Sequence, residues 1–404
     1  MARALLVLLA VLAASPASAI LRRPKHAGGN VPPEAWLTTP ELIARWGYPT
    51  ETHHVRTEDG YILEVHRVPG PRGSGDKRPP QPRAPVLLMH GFGSTSECMV
   101  FRPHKMLAFM LADADLDVWI GNFRGTFYGR RHVNMTTADP RFWEFSWHEN
   151  GLYDVSAMLD YVAERTGQPS VLYGSHSMGG TALLVLLSER PQYNARVRAS
   201  FMLTPAVYFT HVRGSFQRTR RKLRWGYNAL SGLRMENPLM RRPVPELCLG
   251  ADGMKVSPAC MHFFTDAQGP FHSDKNNTYM PILLRHWPGG TSVSQLVHFA
   301  QLIIRGDGFF KFDFGPERNL DKYGTVYPPA YNLTNVRSPV FIFYCQNDYQ
   351  AHYKDIKKLG ADLPGLAGLY MTPSETFNHL DIMYDEDAAD LVYTRLIEQM
   401  LKYR

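Results

Sequence analysis

The stretch "VLYGSHSMGGT", residues 171–181, decides the fold. A short apolar run, Val171-Leu172-Tyr173, meets a cluster of small residues and passes directly into "TALLVLLSER" (181–190), a strong helix former. Strand, tight turn and helix in this order form the setting of a nucleophilic serine on an α/β sheet, commonly written G-x-S-x-G. Small residues two before and two after the serine let helix and strands pack closely. Taking Ser177 as the nucleophile puts Ser175 and Gly179 at those two positions. Taking Ser175 instead would load the first of them with the ring of Tyr173. Ser177 is therefore the candidate, with serine standing at 175 where the pattern expects glycine. A five-residue match is weak on its own, so partners are needed.

A serine hydrolase also requires a base for the hydroxyl proton, an acid to orient that base, and donors for an oxyanion. In this architecture the chain order is serine, acid, histidine. Downstream, "FYCQNDYQ" places Asp348 just past an apolar strand, and "ETFNHLDIMY" supplies His379 in a loop after the short apolar run "GLYM". Upstream, "LLMHGFGSTSE" is a strand followed by a tight His-Gly turn, so the backbone N–H groups of Phe92 and Met178 are the expected oxyanion donors. His90 precedes the serine and ends a strand, so with Gly91 and Gly179 it reads as support of the site and not as a proton carrier.

Working outward, "PVLLMHG" (85–91), "DVWIGN" (117–122), "SVLYGS" (170–175) and "VFIFYCQND" (340–348) are apolar runs ending in small or polar residues, as buried parallel strands do. Helical patterns lie between them, with Val155, Met158, Leu159 and Val162 on one face. This alternation predicts an α/β fold. Ahead of it, "HHVRTEDGYILEVHRV" reads as an antiparallel hairpin turning at Asp59-Gly60. Residues 207–305 break the alternation and read as an inserted cap over the sheet's C-terminal edge, which divides the core into residues 20–206 and 306–404.

The first 19 residues carry an arginine, an apolar run and the ending Ala17-Ser18-Ala19, the features of a secretory signal peptide. No later apolar stretch approaches the ~18 residues of a membrane span. Secretion would open Asn134, Asn276 and Asn332, each in an Asn-x-Ser/Thr sequon, to glycosylation, and would permit disulfides. Of the four cysteines, Cys248 and Cys260 flank a turn-rich loop and are the expected pair, whereas Cys98 and Cys345 read as buried thiols. No cysteine and histidine group has structural zinc spacing. Charge is uneven: between His211 and Arg242 nine Lys/Arg face one acid, Glu236. Nucleic acid is an unsuitable partner for a chain with a signal peptide. A solvated helix face and attraction to an anionic lipid surface both remain open.

With "RWGYPTETHHVRTEDGYILEVHRVP" (45–69), "LLMHGF" (87–92), "DVWIGNFRGTFYGRRHV" (117–133), "HSMGGT" (176–181), "YCQNDY" (344–349) and "FNHLD" (377–381) in order, the chain resembles the acid lipases of the α/β-hydrolase fold. These include gastric and lysosomal lipases and insect relatives. The resemblance implies hydrolysis of acyl esters of lipids, triacylglycerols or sterol esters, with no metal or organic cofactor. It implies a lipid droplet or membrane surface as transient partner, and a secreted or lysosomal location. Its triad falls on Ser177, Asp348 and His379. Ser175, where most members have glycine, and Met178, where most have glutamine, are departures that remove no catalytic group. A capped esterase for small soluble esters and a lipid-binding relative of weak activity are the alternative readings.

Overall fold

The computed structural model describes residues 32–74, 82–223, 238–239, 248–250, 253, 255–272 and 280–404. The expected signal peptide at 1–19, the sequon at Asn276 and the basic residues Arg224, Arg234, Arg241 and Arg242 lie outside the described residues.

Nine strands build the main sheet: β1 (Glu51–Arg56), β2 (Tyr61–Val68), β3 (Pro85–Met89), β4 (Asp117–Ile120), β5 (Arg131–His132), β6 (Val171–His176), β7 (Val197–Leu203), β8 (Val340–Tyr344) and β9 (Leu366–Met371). Their spatial order is β1-β2-β4-β3-β6-β7-β8-β9, with β5 beside β2. The first two strands form the expected antiparallel hairpin, with Glu51 opposite Arg67, and Gly60 turns it at a φ of +98° that a side chain would resist. From β4 to β9 every pairing is parallel.

Parallel strands need both faces covered, and the sequence provides this through continuous apolar runs. Along β3, Leu87 and Met89 enter one core while Val86 and Leu88 enter the other, the period of two expected of a strand. The first core is closed by the helices Ser156–Thr166 and Met178–Glu189, the second by Leu107–Asp113 and Thr394–Met400. Each fully buried Leu, Val or Met contributes roughly 1.5–3 kcal/mol, which makes this central sandwich the rigid base of everything mounted on it.

Between β7 and β8 the chain leaves the sheet. The helices Gly214–Leu223, Pro258–Gln268, Met280–His286 and Val293–Arg305 lie in this insertion, along with a short pairing of Pro238–Leu239 with Thr291–Ser292. Cys248 and Cys260 are joined by a disulfide, with Cα atoms 5.5 Å apart. Cys98 and Cys345 are buried free thiols, and burial pushes the Cys98 pKa up to about 12. No helix among the described residues is long and apolar enough to cross a membrane.

Candidate active site

Strand β6 ends at His176, the helix begins at Met178, and Ser177 between them has φ +51° and ψ −117°. Such a backbone is strained for a residue with a Cβ, at a cost of order 1–3 kcal/mol. It is held by the Ser177 N–H bond to the Leu203 carbonyl at 2.9 Å and by the Gly180 N–H bond to the Ser177 carbonyl at 3.0 Å. Crowding explains the glycine at 179: a Cβ there would stand 2.7 Å from the Met89 carbonyl oxygen and 3.1 Å from that of His90. The position two before the serine is different. Ser175 sits in regular strand pairing with Met89 and Met202 and is absent from the positive-φ residues, so glycine's conformational freedom is not required there. Its hydroxyl is buried and meets no hydrogen-bond partner among the described residues.

Chain order alone suggested the remaining partners, and the fold brings them into one hydrogen-bonded line. Ser177 Oγ donates to His379 Nε2 at 2.9 Å, and His379 Nδ1 donates to Asp348 Oδ2 at 2.7 Å. The other oxygen of Asp348 accepts the N–H groups of Gln350 and Ala351 at 2.8 and 2.9 Å, which fixes the carboxylate plane. All three residues are buried, at 5%, 3% and 0% exposure for Ser177, His379 and Asp348, so their bonds operate with little competition from water.

The loop after β3 lies against the serine: a Cβ on Gly91 would stand 3.2 Å from the Ser177 Cβ and 2.9 Å from His176 Nδ1. Phe92 follows immediately and lines the same cleft as Ser177. Met178 is the first residue of its helix, where an N–H has no intrahelical acceptor and points along the positive end of the helix dipole. His90 is enclosed behind this loop. Its Nδ1 donates to the Gly91 carbonyl at 2.8 Å and its Nε2 accepts the Phe123 N–H at 3.2 Å, while burial lowers its pKa to about 4. A neutral ring with both nitrogens engaged supports the loop.

Two features of the site have no signal in the sequence. His176 Nε2 donates to the backbone carbonyl of His379 at 3.0 Å, and burial together with the neighbouring His379 lowers the His176 pKa to about 3. Asn378 is a four-bond hub: its Oδ1 accepts the N–H groups of Leu380 and Asp381, and its Nδ2 donates to the carbonyls of Gly269 and Pro270 in the insertion. Both tie residues more than 100 positions apart, and no local periodicity encodes such contacts.

Above Ser177 lies a cleft of about 80 Å3, lined on the insertion side by Phe264, Gln268, Leu283, Leu284 and Trp287. On the insertion side, apolar side chains with Gln268 among them thus face the Ser177 hydroxyl. Of the basic stretch, Arg218 pairs with Asp266 and Arg220 donates to the Thr210 carbonyl at 2.7 Å, while Arg221 is exposed. Asn134 and Asn332 are both exposed.

Comparison with known proteins gives the same picture. A family model described as a partial α/β-hydrolase lipase region matches residues 39–102, and one described as the α/β-hydrolase fold matches residues 84–228. Lipase 1 of Drosophila melanogaster is 34% identical, over 92% of this chain and 82% of its own. Lipase member K of Mus musculus is 33% identical, over 92% and 93%. The gastric triacylglycerol lipase of Bos taurus is 31% identical, over 91% and 92%. Among solved structures, a monoglyceride lipase of Saccharomyces cerevisiae superposes with a TM-score of 0.54 at 16% identity, covering 88% of this chain and 95% of that one, a likeness of fold alone. With relatives matching at this level along nearly its whole length, the chain belongs to the acid lipase family of α/β-hydrolases.

Proposed function

We propose that the protein is a lipase that hydrolyses carboxylic esters of lipids, triacylglycerols or sterol esters, through an acyl-enzyme on Ser177. The observation that carries this reading is the line Asp348–His379–Ser177, with bonds of 2.7 and 2.9 Å, on a strained elbow beneath an apolar cleft. Ser177 Oγ attacks the ester carbonyl while His379 Nε2 takes its proton. Asp348 holds the ring in the tautomer whose Nδ1 carries hydrogen and stabilises the imidazolium that forms. The N–H groups of Phe92 and Met178 receive the charge that develops on the carbonyl oxygen. His379 returns the proton to the leaving alcohol, and water then repeats the cycle to free the fatty acid.

Residues 207–305 act as a cap, whose helices supply the apolar wall of the cleft. Its present volume is small beside the ~300–1,000 Å3 of ordinary ligand sites, so a lipid enters only when these helices part. The basic stretch at 213–242 meets the lipid surface, with support from its excess of positive charge. Residues 1–19 direct the chain to secretion or the lysosome; the Cys248–Cys260 disulfide and the exposed sequons at Asn134 and Asn332 suit such compartments.

The test is a hydrolysis profile of emulsified long-chain and soluble short-chain esters across pH, for the wild type and Ser177→Ala. Turnover of emulsions by the wild type alone is expected. Turnover confined to short soluble esters, or unchanged in the variant, refutes the reading.

A further inference from the structure

The acid and base loops of the site are held by a third segment as well as by their own bonds. Asp348 and His379 follow β8 and β9, and between the two loops runs the segment Gln268–His272, which leaves the C-terminal end of the helix Pro258–Gln268 in the insertion. The Gln268 carbonyl accepts the N–H of His379 at 3.4 Å and of Tyr349, the neighbour of Asp348, at 3.3 Å. Its side-chain oxygen accepts from Gln350 Nε2. One residue further, the Gly269 carbonyl accepts from Asn378 Nδ2 at 2.8 Å. The Pro270 carbonyl accepts from both Asn378 and Asn347, at 3.2 and 3.0 Å, and Asn347 also donates to Thr376 at 2.9 Å. Finally the His272 N–H reaches Asp381 Oδ2 at 2.9 Å, the same oxygen that accepts the Asn378 N–H at 3.0 Å.

Gly269 is where the segment comes closest. Its φ is +106°, and a Cβ there would stand 2.3 Å from the Asn347 carbonyl oxygen and 3.2 Å from the Asn378 Cβ. A side chain would have to push the segment off both loops. The segment thus touches the two residues flanking Asp348, Asn378 just before His379, and the backbone of His379 itself.

We propose that Gln268–His272 is a strap that sets the distance and angle between Asp348 and His379, with Asn347, Asn378 and Gly269 as positioning residues. The insertion then does more than cover the site: one of its internal segments is part of the frame that makes the triad geometry. This rests on the lipase reading above.

The experiment compares the wild type with Gly269→Ala, Asn347→Ala and Asn378→Ala. Each protein's active serine is titrated with a fluorophosphonate, its melting temperature is recorded, and kcat and KM are measured on a soluble short-chain ester. A shift approaching 1 Å at a reacting pair costs on the order of 100-fold. The strap therefore predicts kcat per titrated serine lowered on the order of 10- to 100-fold in Gly269→Ala and Asn378→Ala, and less in the half-buried Asn347→Ala, with KM within about twofold. The rate of fluorophosphonate labelling, which also needs His379 to activate Ser177, should fall in parallel. If the variants melt earlier while kcat per titrated serine and labelling rate stay at wild-type values, the segment is merely structural and the proposal fails. Should Gly269→Ala not fold, the two asparagine variants decide. A wild type without esterase turnover would sink the lipase reading instead, and labelling rates would still report on the strap.

Discussion

His90 makes a prediction that depends on burial and not on catalysis. Its ring is 1% exposed, donates to the Gly91 carbonyl and accepts from Phe123, and its pKa lies at about 4. In the unfolded chain a histidine titrates near 6.5. Below about pH 6.5 the unfolded chain thus binds a proton that the folded protein refuses, so stability contributed by the neutral ring is lost as pH falls, down to about 4. The gap of about 2.5 pH units, at ~1.36 kcal/mol each, amounts to about 3 kcal/mol between neutral and pH ~4. Against a typical total of 5–15 kcal/mol this is a large share. His90→Gln keeps one donor and one acceptor but does not titrate. Urea unfolding of both proteins, followed by tryptophan fluorescence at about pH 7 and about pH 4, isolates the term, because every other titrating group is common to the two. The wild type should lose about 3 kcal/mol more than the variant over that interval. Equal losses would falsify the picture of a buried, neutral His90.

Other outcomes follow from the site. Ser177→Ala should lower kcat by ~10⁴-fold or more and abolish fluorophosphonate labelling, whereas Ser175→Ala should keep both; a probe mapped to Ser175 would overturn the assignment. Asp348→Asn should lower kcat by about 10⁴-fold without a change in melting temperature large enough to explain it, since the ring loses its oriented tautomer. Ser175→Ala should also raise stability by roughly 1 kcal/mol in urea titration, because it removes a buried hydroxyl without a partner among the described residues; destabilisation would reveal a bond that this hydroxyl makes. Arg221→Gln with Lys222→Gln should weaken activity on emulsions containing anionic lipid by up to ~30-fold at low salt, and added salt should imitate it. Unchanged emulsion activity would leave that face merely solvated.

The elbow could be read from sequence because its constraint is local: only small side chains fit beside Ser177, and Gly179 shows why, with the Met89 carbonyl 2.7 Å from its missing Cβ. Asp348 and His379 were found through chain order and their places after apolar strands. Ser175 fills a position where the motif expects glycine, yet its regular strand backbone makes serine unremarkable there. His176 gives no signal of its own, because a histidine beside a serine says nothing about a carbonyl 203 residues away. The Gln268–His272 segment was equally silent, since its bonds are mostly backbone ones that any side chains would permit. Gly269 was its one sequence trace, and a lone glycine after a helix reads as an ordinary stop.

The triad is also spread out in time. Ser177 and His379 lie 202 residues apart, with the whole insertion and three strands of the main sheet between them. At about 5–20 residues per second of synthesis, the serine is made roughly 10–40 s before its base. During that interval the nascent chain carries a nucleophile that nothing deprotonates, and the strands that close the sheet beside it have not been made. Activity therefore begins as a late event in the chain's life, after the insertion has been translated and its Gln268–His272 segment is there to receive the last two loops.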